Sequence, residues 1–132
     1  MLGVYPEGTL TRDPDMWPMV AKTGCARLAL QTNTPVIPIA QWGSQLVVPN
    51  YTTKLNLFPR KTIIIRVGEP VDLSKWYGKG DDPQALIEAT AEIMRAITEM
   101  LEEIRGEKRT PVIFDPHKSD LPRTGNFKKK AK

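Results

Sequence analysis

Hydrophobic residues recur along residues 83–105 with the spacing of an amphipathic α-helix. Asp82 is a favourable N-cap, Pro83 fits the first helical position, and Gly106 ends the pattern. The apolar stripe comprises Leu86, Ile87, Ile93, Met94, Ile97, Leu101 and Ile104, whereas Glu88, Glu92, Glu99, Glu102 and Glu103 lie off it. The pattern therefore predicts one long helix with a core-facing stripe and a solvated acidic face.

Shorter apolar segments precede this helix. Residues 22–32 carry Ala26, Leu28, Ala29 and Leu30 at helical spacing, which predicts a short helix. Residues 36–40 read as a strand, and Pro38 places it at an edge or a bulge. Residues 62–67 are nearly continuous in β-branched side chains, as in a strand covered on both faces. Residues 2–5 predict the end of another buried strand.

The order of these elements predicts an α/β fold, a partial mixed sheet with covering helices, over residues 1–107. Prolines interrupt residues 108–132, which end in a run of cations, so we expect an extended or disordered basic tail there. Trp17, Trp42 and Trp76 would fit either loop packing or a membrane interface, and we favour packing.

Composition describes one soluble domain at most, with 132 residues, 26% charged residues and a single cysteine. No stretch approaches the roughly 20 apolar residues of a membrane span, and the first residues lack a secretory pattern. A lone Cys25, which we read as a buried structural thiol, excludes an internal disulfide and a cysteine-based zinc site. We therefore expect a cytoplasmic chain with no metal.

The charges are distributed unevenly. Residues 1–66 hold seven cations and three anions, giving +4, whereas residues 67–122 hold seven and twelve, giving −5. Residues 123–132 add five cations and no anion, giving +5. An excess of cations in the first half indicates an anionic ligand or an anionic surface.

The run Tyr-Pro-Glu-Gly-Thr at residues 5–9 carries the candidate chemistry. If it follows a strand, Glu7, Gly8 and Thr9 lie at the carboxyl edge of a sheet, where α/β folds bind ligands. Gly8 lets backbone N–H groups approach an anion, Thr9 offers a hydroxyl, and Arg12 and Lys22 add cations. These residues predict a site for a phosphorylated substrate, and the alternative interpretation is a plain turn.

This run, the Lys-Thr-Gly at residues 22–24, the Pro-Val-Ile-Pro-Ile at residues 35–39 and the Gln-Trp-Gly at residues 41–43 together resemble the glycerophospholipid acyltransferase family. The likeness is greatest to bacterial 1-acylglycerol-3-phosphate acyltransferases. It covers roughly the first 75 residues well, including the Val-Gly-Glu-Pro-Val-Asp at residues 67–72, and the long helix in outline. The resemblance implies that this chain corresponds to the C-terminal half of that fold.

The resemblance also implies a function in phospholipid synthesis. Such an enzyme moves a fatty acyl group from acyl-CoA or acyl carrier protein to 1-acylglycerol-3-phosphate or a related lysophospholipid. The resemblance implies that Glu7 and Gly8 are residues of the acceptor site. The implied partners are the acyl donor, the lysophospholipid acceptor and a membrane surface to which the protein attaches peripherally, and no bound cofactor is implied.

Two departures limit this resemblance. Family members activate the acceptor hydroxyl with a His and an Asp separated by four residues, but the only histidine here is His117, which has Pro122 at the place of the acid. The arginine that follows Glu-Gly-Thr in the family is replaced by Leu10, so either Arg12 substitutes or the acceptor differs. We therefore assign no catalytic residue and expect the chain alone to be inactive.

A noncatalytic module that binds an anion or a lipid phosphate is the competing interpretation. Arg12, Lys22, Arg27 and the basic tail would supply its cations. Aromatic residues are not interleaved with the basic ones, so nucleic acid is not an expected partner. Lys128, Lys129 and Lys130 fit a solvated tail better than a contact with anionic lipid.

Overall fold

The computed structural model describes residues 1–52, 54–116 and 118. In chain order the elements are α1 (Gly24–Thr32), β1 (Ile39–Trp42), α2 (Ser44–Val47), β2 (Ile64–Val67) and α3 (Pro83–Arg105), with a 3₁₀ turn at Ser74–Trp76. The predicted α/β class is confirmed. The predictions for His117 and for residues 119–132 lie outside the described residues.

Local signals place α3 where the sequence predicts it. The Asp82 side chain accepts a hydrogen bond from the backbone N–H of Gln84 at 2.9 Å, which satisfies a free donor of the first turn. Gly106 ends the helix with a φ of 68°, a left-handed conformation that favours glycine. Ile87 does not belong to the buried stripe, because its side chain is exposed while Ala85 and Ala89 pack into the core.

The N-terminal half of α3 packs against α1. Small alanines on both helices allow the close approach, and larger side chains from the 3₁₀ turn and the helices fill the space around them. The buried members of this first cluster are Ala26, Ala29, Leu30, Leu73, Trp76, Ala85, Leu86, Ala89 and Ile93. Cys25 is half-buried beside this cluster, which agrees with a structural thiol.

The C-terminal half of α3 packs against β1 and the segment of residues 11–19. Met100 and Leu101 form a second cluster with Trp17 and Ala40. The Arg105 guanidinium lies 3.7 Å from the centroid of the Trp17 ring and 4.3 Å from that of Trp42. Trp17 is buried, as is Trp76 in the first cluster, so the expected packing role of these tryptophans is confirmed.

The sheet contains two described strands, β1 and β2, and it is antiparallel where we predicted a mixed sheet. Ile39 pairs with Val67, and Trp42 pairs with Ile64. Beyond the strands, the N–H of Gly68 donates to the carbonyl of Pro38 at 2.9 Å. Pro38 thus lies just before β1 and contributes only its carbonyl, so its missing N–H costs no ladder bond.

The prediction that residues 62–67 are covered on both faces is wrong. All four residues of β2 are exposed. The helix α3 approaches only one face of the sheet, and even there Arg66 stays exposed while it pairs with Glu103. Within the described chain, no helix or strand covers the opposite face. A β-branched run therefore indicates a strand correctly without showing how many of its faces are buried.

The predicted strand at residues 2–5 is also wrong. Leu2, Val4 and Tyr5 are exposed, and the segment forms no strand. Its backbone has no sheet partner among the described residues, and an apolar segment forms a strand only with a neighbour to take its hydrogen bonds. In the described part of the chain, no helix combines the length and the apolar composition needed to cross a membrane.

Candidate functional site

A tight turn shapes the Glu-Gly-Thr motif. The backbone N–H of Gly8 donates to the carbonyl of Tyr5 at 3.0 Å, which closes a four-residue turn with Pro6 and Glu7 at its centre. Gly8 has a φ of 68°, where a residue with a side chain would be strained. The motif therefore lies on a turn, and the prediction that it ends a strand is wrong.

Lys22 lies against this turn although fourteen positions separate it from Gly8 in the sequence. Its backbone N–H donates to the carbonyl of Pro6 at 3.0 Å. Its Nζ lies 3.2 Å from the place that a Cβ on Gly8 would occupy, so the ammonium group sits directly over the glycine. The structure thus brings together three of the residues singled out from the sequence, Glu7, Gly8 and Lys22.

Glu7 is the most perturbed acidic side chain of this site. Burial raises the pKa of Glu7 to about 7, with a smaller contribution from the negative charge of Asp13, against a hydrogen bond from the Met19 backbone that lowers it. Its Oε2 is buried and has no hydrogen-bond partner in the described structure. Near neutral pH this carboxyl group can therefore either accept or donate a hydrogen bond.

The other two predicted site residues differ in accessibility. Thr9 is exposed, so its hydroxyl is open to a ligand. Arg12 is only 3% exposed, and its backbone N–H contacts the Met19 sulfur at 3.0 Å. Lys22 is consequently the more accessible of the two cations that we proposed for the phosphate.

An open groove of about 450 Å³ begins at Leu10, the residue that follows the motif. The Tyr51 hydroxyl lies 3.4 Å from the carbonyl oxygens of both Leu10 and Thr11, which ties the chain after α2 to the motif. The groove is lined by Leu10, Ser44, Gln45, Val47, Val48, Pro49, Asn50, Tyr51, Thr52 and Ile63. Sequence reasoning missed this groove, and its only signal was the apolar run Val-Val-Pro at residues 47–49.

The Gln-Trp-Gly segment at residues 41–43 leads directly into the part of the chain that lines the groove. Gly43 has a φ of 103°, and a Cβ there would lie 2.2 Å from the carbonyl oxygen of Thr62. Any residue with a side chain would push apart the chain that leaves β1 and the chain that enters β2. Gly43 is therefore required by the close approach of two backbones beside the groove.

The remaining candidate groups do not form a second reactive centre in the described chain. Burial raises the pKa of the Cys25 thiol, which keeps it protonated and unreactive. Residues 1–52, 54–116 and 118 contain no cluster of three or more His, Cys, Asp or Glu side chains arranged to hold a metal.

Comparison with known proteins bears on the first third of the chain. Residues 1–42 match the model of the family described as Acyltransferase. The matched range contains the motif turn, Lys22, α1 and β1, and it supports a general acyltransferase function. No curated protein and no solved structure matches the chain.

Proposed function

We propose that this chain is part of an acyltransferase that moves a fatty acyl group from acyl-CoA or acyl carrier protein to 1-acylglycerol-3-phosphate or a related lysophospholipid. One observation carries the proposal. Within the range that matches the acyltransferase family, an ammonium group, a glycine backbone and a carboxyl group with a free lone pair meet at a single turn. These groups complement a phosphate and a hydroxyl, the two polar features of the acceptor.

Each residue of the proposed site has a role in holding the acceptor. The Lys22 ammonium pairs with the phosphate, while the Gly8 backbone leaves room for its oxygens and the Thr9 hydroxyl donates to it. The Glu7 carboxyl group hydrogen-bonds a glycerol hydroxyl of the acceptor. Arg12 adds positive charge from a buried position.

In the reaction, the acceptor hydroxyl oxygen attacks the thioester carbonyl carbon. A new ester C–O bond forms, the C–S bond breaks, and the hydroxyl proton passes through a base to the departing thiol. The proposal assigns no residue of this chain as that base, since the His and Asp pair of the family has no counterpart in the sequence. A site that holds the acceptor without a general base loses about 10²–10⁴-fold in reaction rate. We therefore expect no measurable transfer by the chain alone.

Binding of a soluble, short-chain lysophosphatidate tests the acceptor site directly. We expect Lys22→Ala to weaken binding about tenfold or more, because a charge-assisted hydrogen bond contributes roughly 1.5–3 kcal/mol. Titration calorimetry measures the change. Lys79→Ala is the matched control, since Lys79 is an exposed cation outside the residues of the proposed acceptor site, and it should bind as the parent chain does. Equal affinity in the parent and Lys22→Ala chains would contradict the assignment of Lys22.

A transfer assay separates the enzyme from the noncatalytic alternative. Radiolabelled acyl-CoA and lysophosphatidate are supplied to the chain alone and to a fusion carrying the His and Asp half of a family acyltransferase. Turnover only in the fusion, lost in its Lys22→Ala variant, is the result we expect. Lysophosphatidate binding with no turnover in the fusion would favour a noncatalytic lipid-phosphate module.

The proposal places the protein in the cytoplasm, attached peripherally to the membrane that holds its lipid substrate. Its partners are the acyl donor, the lysophospholipid and the membrane surface, without nucleic acid. The acyltransferase portion extends over residues 1–107. Residues 108–116 lack helix and strand but return to the body, where the carbonyl of Phe114 accepts from the N–H of Val20 at 3.0 Å.

A further inference from the structure

The chain between β1 and β2, residues 43–63, exposes an unusual number of large apolar side chains. We call it the basic loop. Phe58 is the extreme case, with 86% of its surface exposed. The other exposed apolar residues of the loop are Leu46, Val48, Leu55, Leu57 and Ile63. Exposed apolar residues are common singly, but this concentration in one loop indicates a surface that meets another apolar phase.

The charges of the basic loop have a single sign. Residues 16–68 contain six Lys or Arg and no Asp or Glu. Lys54, Arg60 and Lys61 lie within the loop, and none forms an ion pair with a described carboxylate. By contrast, several cations of the second half of the chain are paired, as when Lys75 pairs with Glu88. The loop therefore presents uncompensated positive charge beside its apolar side chains.

Hydrogen bonds connect the first part of the basic loop to itself and to the chain that follows the motif turn. The N–H of Asn56 donates to the carbonyl of Val47 at 2.8 Å, and the N–H of Thr52 donates to that of Pro49 at 3.2 Å. Tyr51 connects the loop to the backbone at Leu10, next to the motif turn. The basic loop is thus tied to the chain that borders the candidate site.

We propose that the basic loop docks on an anionic lipid bilayer. Leu55, Leu57 and Phe58 enter the apolar layer beneath the headgroups, and Lys54, Arg60 and Lys61 pair with lipid phosphates. A bilayer fits this surface because it offers an apolar phase and negative charge together. This inference rests on the proposed function, which supplies the lipid substrate, and it adds the surface through which the protein meets the membrane. Docking through the basic loop brings the Glu7 turn to the membrane.

Vesicle cosedimentation of the 132-residue chain tests this docking surface. Mixed phosphatidylglycerol and phosphatidylcholine vesicles are compared with pure phosphatidylcholine vesicles, at low and at raised ionic strength. We expect binding to the anionic vesicles that weakens as salt is added. Leu57→Ser combined with Phe58→Ser should reduce the binding constant about tenfold or more, equivalent to ~1.4 kcal/mol. Lys54→Gln with Lys61→Gln should remove the preference for anionic vesicles.

Matched controls come from the rest of the surface. Ile87→Ser removes an equally exposed apolar side chain from α3, and Lys79→Gln removes an exposed cation outside the loop. Both should bind vesicles as the parent chain does. As a direct reporter, Phe58→Trp should show a blue-shifted emission with anionic vesicles and quenching by lipids labelled in the acyl chain. Circular dichroism melting confirms that the variants remain folded.

Several results would overturn the proposal. Equal binding to neutral and anionic vesicles would do so, as would unchanged vesicle binding by the loop variants. Loss of vesicle binding in Ile65→Ser would point to the sheet instead of the loop. Preferential binding to a polyanion such as DNA would point to a partner other than lipid. The outcome is separable from the acceptor site. If only the docking surface is wrong, soluble lysophosphatidate still binds through Lys22. If only the acceptor site is wrong, vesicle binding still depends on Phe58.

Discussion

Glu7 shows how one buried side chain couples the candidate site to pH. Burial raises its pKa to about 7, from the ordinary value of 4.5. A carboxyl group whose pKa is raised on folding favours the folded state in its protonated form. Its contribution is therefore fully present below pH 4.5, declines as the pH rises, and is lost once the pH passes about 7.

Replacing Glu7 should consequently stabilise the chain, but only at the higher pH values. We expect Glu7→Gln to have a higher melting temperature than the parent chain at pH 8 and a closely similar one at pH 4, because glutamine carries no charge to bury. Thermal unfolding followed by circular dichroism across this range measures the difference. Glu69→Gln, an exposed site, is the control, and a stability difference for Glu7→Gln that is independent of pH would contradict this explanation.

Residue-scale reasoning from the sequence succeeded where the signal was local or the spacing was specific. The sequence grouped Lys22 with Gly8, and the structure places the Lys22 ammonium group over that glycine. It did not predict the burial of Arg12, because nothing in a single sequence shows that Met19 and its neighbours fold over that residue. Leu10 was visible in the sequence, but the groove that it lines depends on residues more than thirty positions away.

Among the elements, α3 organises the molecule because its two halves pack on different partners. Its first half meets α1, and its second half meets β1 and residues 11–19. Its bounds were predictable because a capping aspartate, a first-turn proline and a terminal glycine act within one turn of each end. The strands were less predictable, since a strand depends on partners that are distant in sequence. The strand predicted at residues 2–5 is absent for this reason.

Arg105 at the end of α3 connects that helix to residues 11–19. Its guanidinium stacks between Trp17 and Trp42, and its NH1 donates to the carbonyl of Asp15 at 2.9 Å. We expect Arg105→Ala to lower the free energy of unfolding by on the order of 2 kcal/mol, from the lost stacking and the unpaired carbonyl. Chemical denaturation measures the loss.

Two further variants distinguish stacking from charge at this position. Arg105→Lys keeps the positive charge but lacks the planar group, so it should recover only a small part of the stability. Arg95→Ala removes an exposed arginine that pairs with Glu92 and Glu99 on the same helix, and it should cost less than about 1 kcal/mol. Full recovery by lysine would show that charge alone explains the contribution of Arg105.

At the scale of the whole molecule, the sheet leaves one face open. The register places Ile39 and Gln41 opposite Val67 and Ile65, and α3 covers only the other face, which carries Ala40 and Arg66. Within the described residues, no helix or strand packs over the open face. Together with the basic loop, it gives the chain two exposed apolar surfaces, of which only the loop is flanked by unpaired cations.

The open sheet face should make the chain associate as its concentration rises, because contiguous exposed apolar surface and free strand edges favour contact between copies. We expect Ile65→Lys to reduce this association, measured by light scattering and size-exclusion chromatography. Ile87→Lys adds the same charge at an exposed isoleucine on α3 and separates the effect of the face from that of net charge. If both variants reduced association equally, charge repulsion would explain it, whereas a specific effect of Ile65→Lys identifies the open face as the surface through which copies meet.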